Sequence, residues 1–156
     1  MTDADAMRLA IAACRRGLLL GQSPFGATIT REGRVIAEAH NTVRLDNDPT
    51  AHAEVNALRR AARELSSFDL SGCVLYSTCE PCPMCLAATH WARVDRLVFG
   101  ASIADAKSSG FHEMPIPAAT MVAMGESLLR VEGGFQTEEC RALFDEWKES
   151  GHSEAY

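Results

Sequence analysis

Two short segments that lie far apart in the chain constrain its fold more than any other feature. The first is His52-Ala53-Glu54, and the second contains Cys82 and Cys85, three residues apart. One imidazole nitrogen and two thiolates form the soft ligand set that Zn²⁺ prefers. Three protein ligands leave one coordination position open for water, which is typical of catalytic zinc sites rather than structural ones. The fold must therefore bring both segments to one point.

Both segments are predicted to lie at the starts of helices. Cys82 and Cys85 have i, i+3 spacing in a first helical turn, so their thiols face the same way and the helix dipole favours the thiolates. In the middle of a helix, His52 and Glu54 would point about 200° apart. They converge only if His52 begins a helix, and the polar loop of residues 47–50 directly before it supports such a start. Glu54 could then transfer protons of a water molecule at the metal.

Hydrophobic periodicity predicts the other elements of the chain. Helices are predicted at residues 3–20, 51–65, 81–91, 117–124 and 137–147, with Pro81 opening the third and Thr137 capping the last. Strands are predicted at residues 25–30, 35–39, 73–76, 96–100 and 128–131, and loops or tails at 41–50, 101–117 and 149–156. Helices between strands imply crossovers, so the predicted fold is α/β: a three-layer α/β/α sandwich with a five-stranded mixed sheet.

Length and charge narrow the class of protein. A chain of 156 residues is expected to form one domain, residues 1–156. A formal net charge of −6 disfavours a nucleic-acid binder, which needs a basic face. The acidic N-terminus lacks the basic region of a secretory signal, and no apolar run approaches the length of a membrane span. We therefore expect a cytoplasmic protein without a nucleic-acid or membrane partner.

The six cysteines are better explained by metal ligation and buried thiols than by disulfides, because no export signal is present. Cys14 lies on the apolar stripe of the first helix and is predicted to be a core residue. Cys79 forms a second C-x-x-C with Cys82, so it could be a fourth zinc ligand or a redox partner. Because Pro81 places Cys79 before the helix, a thiol in the core or behind the ligands is the favoured reading.

Together, these motifs resemble those of the cytidine deaminase-like superfamily of zinc enzymes, whose signature is H-x-E followed by P-C-x-x-C. The resemblance covers nearly the whole chain, and within the superfamily it is closest to the bacterial guanine deaminase type. The segments that carry it are residues 47–55, 79–86, 91–93, 110–111 and the terminal Tyr156. It implies a zinc-dependent aminohydrolase that forms a homodimer and acts on a small base, with the conversion of guanine to xanthine and ammonia as the first choice.

The same resemblance implies roles for individual residues. Zn²⁺ would be bound by His52, Cys82 and Cys85, and would activate water for attack on the amino-bearing carbon. Glu54 would carry a proton from that water to a ring nitrogen and then to the departing amine.

On the substrate side, the resemblance implies that Asn41 hydrogen-bonds the ring and that Tyr156 reaches a pocket of its own or of a partner subunit. Phe25 and Trp91 are candidates for stacking on a flat base. The backbone N–H of Ala53, at a helix start, could bind a substrate oxygen.

One departure from the guanine deaminase pattern concerns the substrate. That type carries two acidic residues after Gly-Phe, of which the second helps to move protons. Here the two positions are His112 and Glu113. Glu113 keeps the carboxylate and is the second candidate catalytic residue.

Three alternatives remain open at the level of sequence. The first is a deaminase of cytosine or of a nucleoside such as guanosine or cytidine. The second is a tRNA adenosine deaminase, which 15 Lys and Arg against 21 Asp and Glu disfavour. The third is a non-catalytic zinc or redox module built on Cys79, Cys82 and Cys85, whose function would not depend on Glu54.

Overall fold

A mixed five-stranded sheet forms the centre of the protein in the computed structural model, which describes residues 1–156. Its strands are β1 (Gly26–Arg31), β2 (Arg34–His40), β3 (Cys73–Cys79), β4 (Arg96–Ala101) and β5 (Arg130–Glu132). The spatial order is β2-β1-β3-β4-β5. β1 is antiparallel to both neighbours, whereas β3, β4 and β5 are parallel to one another. The predicted five-stranded mixed sheet is confirmed.

Seven helices surround the sheet. They are α1 (Asp3–Leu19), α2 (Val43–Asp46), α3 (Ala53–Glu64), α4 (Pro83–Trp91), α5 (Ile103–Ser108), α6 (Ala118–Met124) and α7 (Thr137–Glu149). α1 and α7 share a core on one face of the sheet, while α3, α4 and α6 share a second core on the other face. This is the predicted α/β/α sandwich. None of the helices combines the length and apolar character needed to cross a membrane.

The central strands are buried on both faces because their side chains alternate between the two cores. Leu75 and Leu97 pack with α3 and α4, whereas Tyr76 and Val98 pack with α1 and α7. The approach of α1 to β1 is close at Gly26, where an added Cβ would lie 2.1 Å from the carbonyl oxygen of Ala10. β1 therefore starts directly beneath α1, and its start faces the site described below.

Two helices lie in segments that the sequence predicts to be loops. α5 lies in the predicted loop of residues 101–117, and its first turn is stabilised by a capping box between Ser102 and Asp105. α2 is a single turn within the predicted loop of residues 41–50. Both are too short to show a helical hydrophobic period, so periodicity could not detect them.

Two predicted helix starts and one predicted cap are also wrong. α3 begins at Ala53 rather than at residue 51. α4 begins at Pro83 rather than Pro81, with Cys82 as its N-cap. A proline does occupy the first helical position, where its missing N–H has no cost, but that proline is Pro83 and not Pro81. α7 begins at Thr137, yet its N-cap is Gln136 and not Thr137.

Candidate active site

The three candidate zinc ligands meet beyond the carboxyl end of β3. His52 is the N-cap of α3, Cys82 is the N-cap of α4, and Cys85 lies in the first turn of α4. His52 Nδ1 lies 3.6 Å from Cys82 Sγ and 3.5 Å from Cys85 Sγ, and the two sulfurs are 3.6 Å apart. Tetrahedral zinc with bonds of about 2.3 Å to sulfur and about 2.0 Å to nitrogen places such atoms roughly 3.5–3.8 Å apart. The three residues therefore fit a zinc ion.

The electrostatics of this cluster favour a cation. The hydrogen bond with Cys85 and that with His52 lower the pKa of Cys82 to about 4, although burial opposes the shift. The hydrogen bond with Cys82 and burial raise the pKa of Cys85 well above its usual range. Burial lowers the pKa of His52, but its bond with Cys82 and the charge of Glu54 outweigh burial and raise it. The cluster thus already contains one thiolate, at Cys82, and a bound divalent ion would favour the deprotonated forms of Cys85 and His52 as well.

Glu54 lies beside this cluster at the start of α3. It is only 5% exposed, and its Oε1 accepts a hydrogen bond of 3.0 Å from the hydroxyl of Ser77 on β3. Burial raises the pKa of Glu54, while the charge of His52 and the bond from Ser77 partly oppose that rise. A carboxyl group that is held in one position and whose pKa is moved toward neutrality is suited to proton transfer.

A cavity of about 240 Å³ opens above the cluster. Aromatic side chains form one part of its wall, namely those of Phe25, Phe111 and Tyr156. Carboxyl groups form another part, and they belong to Glu54, Glu80 and Glu113. The rings of Phe25 and Phe111 pack edge to face with centroids 4.9 Å apart. The cavity is small beside typical ligand pockets of roughly 300–1,000 Å³, so it suits a ligand the size of a single base.

Asn41 and Tyr156 are brought together from opposite ends of the chain. The buried Asn41 donates from Nδ2 to the Tyr156 hydroxyl at 2.6 Å, and its Oδ1 accepts from the N–H of Val43 at 3.1 Å. The carbonyl of Tyr156 accepts a bond of 2.9 Å from the N–H of His112. Burial raises the pKa of Tyr156 to about 12. Its hydroxyl therefore stays neutral and keeps a proton that it can donate.

Comparison with known proteins identifies the family. Residues 1–101 match the cytidine and deoxycytidylate deaminase zinc-binding region. The chain belongs to this deaminase family. The superfamily resemblance that the zinc motif predicts is thereby confirmed, and zinc is the metal that the family binds at this region.

Individual relatives within the family act on different molecules. The chain is 50% identical over 90 residues to guanine deaminase of Bacillus subtilis, an alignment that covers 58% of each protein. It is 42% identical over 95 residues to tRNA-specific adenosine deaminase of Aquifex aeolicus, covering 61% of this chain and 63% of that protein. Both alignments span less than two thirds of the relative's length. A solved guanine deaminase from Nitrosomonas europaea superposes with a TM-score of 0.87 at 29% identity, covering 95% of this chain and 85% of that one.

Trp91 is a candidate site residue that the structure places far from the cavity, whereas Asn41 and Ala53, which are not lining residues either, contact residues that line it. Trp91 is the last residue of α4 and is 78% exposed, whereas the zinc ligands lie at the other end of that helix. A helix of nine residues is roughly 13 Å long, which separates the indole from the cavity. The expectation that Trp91 stacks on a base is therefore not supported within this chain.

Ala53, Glu113 and Cys79 lie in segments next to the zinc ligands. Ala53 opens α3, so its N–H belongs to the first turn, where the helix itself provides no acceptor. Glu113 lines the cavity, and burial, followed by the charge of Cys82, raises its pKa to about 7. Cys79 is a buried thiol whose Sγ donates to the carbonyl of Ser102 at 3.4 Å, and it lies outside the ligand cluster. Its position agrees with the favoured reading of a core thiol.

Three residues at this site were not predicted from the sequence: Ser77, Glu80 and Phe111. Ser77 and Thr78 are two adjacent buried polar residues on β3 that precede Cys79, and that position was a usable signal. Phe111 follows a glycine in a segment without periodicity, and nothing local marks it as a cavity residue. Glu80 precedes the zinc motif, but only the fold reveals its partners.

Proposed function

We propose that this chain is a zinc-dependent hydrolase that deaminates a free aminated base, with guanine as the first choice and xanthine and ammonia as products. The observation that carries the proposal is the position of Glu54 beside three zinc-compatible ligands, at the bottom of a cavity of base size. His52, Cys82 and Cys85 would hold the zinc. The similarity to guanine deaminases from two bacteria supports the choice of guanine.

The chemistry follows from the residues around the cavity. When bound, zinc lowers the pKa of water, so that a nucleophile is available at neutral pH. The Glu54 carboxylate accepts a proton from the attacking water and delivers it to the ring nitrogen beside the amino-bearing carbon. Once the C–O bond has formed, Glu54 takes the remaining proton of the added hydroxyl and gives it to the amino group, so that the C–N bond breaks, a carbonyl forms and ammonia leaves. Ser77 keeps the Glu54 carboxylate aimed at the reacting carbon throughout.

Recognition of the base would use the opposite side of the cavity. Phe25 and Phe111 provide an apolar wall for a flat ring, which excludes water and limits the orientation of the ring. Asn41 and Tyr156 provide polar groups at the ring edge. Glu113 provides a carboxyl group in the same cavity, which can accept a bond from a ring N–H. These roles are proposals for this chain.

A free base fits better than a polynucleotide. The C-terminal segment crosses the cavity through its bond to His112, and Arg44 binds the carbonyl of Glu154 at 2.5 Å. A tRNA substrate would need the cavity open and a basic surface around it, since phosphate contacts supply most of the affinity for nucleic acid. The similarity to a tRNA-specific adenosine deaminase makes tRNA the second candidate substrate. The homodimeric state, the cytoplasmic location and the single-domain organisation stay predictions.

An ammonia-release screen tests the substrate directly. Purified protein would be assayed with guanine, cytosine, adenine, guanosine, cytidine and tRNA. We expect guanine to give the highest kcat/KM, and to exceed guanosine, cytidine and tRNA by about ten-fold or more because the cavity has room for one base. Protein stripped of metal with a chelator is the control and should release no ammonia. Turnover of tRNA without turnover of guanine would reject the proposal in favour of the second candidate.

The terminal tyrosine gives a second test of the same site. Tyr156→Phe removes the hydroxyl that Asn41 binds, and we expect it to raise KM for guanine by about ten-fold, the effect of one buried hydrogen bond. Deleting residues 153–156 removes the whole Tyr156 side chain from the cavity and should raise KM further. Glu154→Gln is the matched control, because the exposed Glu154 side chain makes only a long ion pair of 3.4 Å with Arg44. Steady-state kinetics that are the same for the deletion variant and the wild type would remove Tyr156 from the site.

A further inference from the structure

The carboxylate of Glu80 binds both ends of residues 103–118, a segment that contains Phe111, His112 and Glu113 and forms one wall of the cavity. Its Oε2 accepts a hydrogen bond of 2.9 Å from the N–H of Ile103, and its Oε1 accepts one of 2.8 Å from the N–H of Ala118. Ile103 and Ala118 are the first residues of α5 and α6. One side chain thus uses both of its oxygens to connect two helix starts that lie far apart in sequence.

Glu80 is itself fixed to the sheet. It follows directly after β3, and its N–H donates to the carbonyl of Ala101 at the end of β4 at 2.7 Å. Two residues later the chain reaches the zinc ligand Cys82. The backbone of Glu80 is therefore fixed close to the metal ligands, so its carboxylate can hold the wall at a set distance from them.

The wall between the two helix starts has little regular structure of its own. Residues 111–117 form neither helix nor strand, yet Phe111, His112 and Glu113 all line the cavity. Farther along, Met114 and Ile116 are exposed and add no core packing. The backbone bonds of this segment are short-range, except for the bond between the His112 N–H and the carbonyl of Tyr156. Phe111 is buried against Phe25 and Trp147, so the position of the residues that follow it depends on how the Ala118 end is held.

We propose that Glu80 is a positioning residue that sets the distance between this wall and the zinc ligands, and so the fit of the substrate base. The part of this inference that concerns the substrate rests on the proposed function. Glutamine at position 80 would keep the shape of the side chain but has only one acceptor oxygen. Its NH₂ group would face the N–H of Ile103 or Ala118, so one end of the wall would be released.

Asp105 offers a matched control. Its Oδ2 accepts a bond of 2.8 Å from the N–H of Ser102 and another from the Ser102 hydroxyl, so it also stabilises the start of α5. Its other hydrogen-bond partner is Arg141 of α7, at 3.1 Å, and it makes no hydrogen bond to the start of α6. Asp105→Asn should therefore weaken the same helix as Glu80→Gln without releasing the far end of the wall.

Amide hydrogen exchange tests the positioning role without any substrate. In Glu80→Gln we expect exchange of residues 110–118 to rise about ten-fold relative to wild type, since one end of the segment loses its partner. In Asp105→Asn the rise should stay within residues 102–108. Glu80→Asp keeps both oxygens but is one methylene shorter, so it should give the pattern of Glu80→Gln more weakly. Equal exchange over residues 110–118 in all variants and the wild type would overturn the proposal.

Kinetics then separate positioning from general destabilisation. We expect Glu80→Gln to raise KM for guanine about ten-fold while kcat changes less than about three-fold and zinc content is unchanged. Asp105→Asn should leave KM within about two-fold of wild type. If the KM values of Glu80→Gln and Asp105→Asn are equal, Glu80 only caps a helix and does not position the wall. If wild-type protein fails to turn over guanine, the proposed function fails, but the exchange result still decides whether Glu80 holds the wall.

Discussion

Glu54→Gln is expected to retain zinc and to lower kcat for deamination by about three orders of magnitude. The amide has the same shape and can still accept the bond from Ser77, but it cannot carry a proton. General acid–base catalysis contributes about 10²–10⁴-fold, and because one group here serves two successive proton transfers, the loss should lie above the lower part of that range, at about 10³-fold. Ammonia release and metal analysis on the same preparation measure both quantities.

Ser77→Ala is the matched control for this variant. It removes the bond that aims the Glu54 carboxylate but leaves the carboxylate itself, so we expect a loss in kcat of about ten-fold. Glu54→Gln with near-native turnover of the preferred substrate would disprove the proposed mechanism. Retained zinc without any deaminase activity in the wild type, unchanged by Glu54→Gln, would instead favour a non-catalytic zinc module.

Cys85→Ser is expected to lose zinc and all activity. The substitution leaves one imidazole and one thiolate, and a neutral hydroxyl is a poor replacement for a thiolate ligand of zinc. We expect the affinity for zinc to fall by more than about 100-fold, beyond the effect of changing a residue that only supports a ligand. Dialysis against a competing chelator followed by metal analysis measures the loss.

Cys79→Ser separates the two C-x-x-C pairs. A serine hydroxyl can make the same bond to the carbonyl of Ser102 that the Cys79 thiol makes, and it lies outside the ligand cluster. This variant should therefore keep one zinc per chain with nearly native affinity. If Cys79→Ser loses zinc while Cys85→Ser retains it, the ligand set is different and the site is not the one described here.

The fold was largely predictable because it depends on local patterns that repeat. Buried strands and amphipathic helices were recognised from apolar residues at their characteristic spacing. The position of His52 was predictable for a different reason. His52 and Glu54 can converge only at a helix start, and His52 is the N-cap of α3. α5 was missed because six residues are too few for a period, although Ser102 and Asp105 form a capping box that can be found by its spacing.

The substrate side of the site was harder to predict because it is assembled from residues that are distant in sequence. Asn41 and Tyr156 were proposed from resemblance alone, and no local pattern indicates that they bind each other. The position of Trp91 depends on the length of α4, because nine helical residues carry the indole away from the end that holds the ligands. The partners of Glu80 are backbone N–H groups at two helix starts, so its role depends on where α5 and α6 begin.

The bond between Asn41 and Tyr156 also affects the thermodynamics of ligand binding. Asn41 is buried and held by Val43 as well as by Tyr156, so its side chain is already confined to one rotamer before any ligand arrives. The conformational entropy of that side chain is lost when the chain folds, not when a base binds. A ligand that matches this fixed arrangement binds without an ordering penalty there, whereas one that requires Asn41 to rotate must break two hydrogen bonds first. Selectivity at this edge of the cavity would then come from rigidity rather than from the number of contacts.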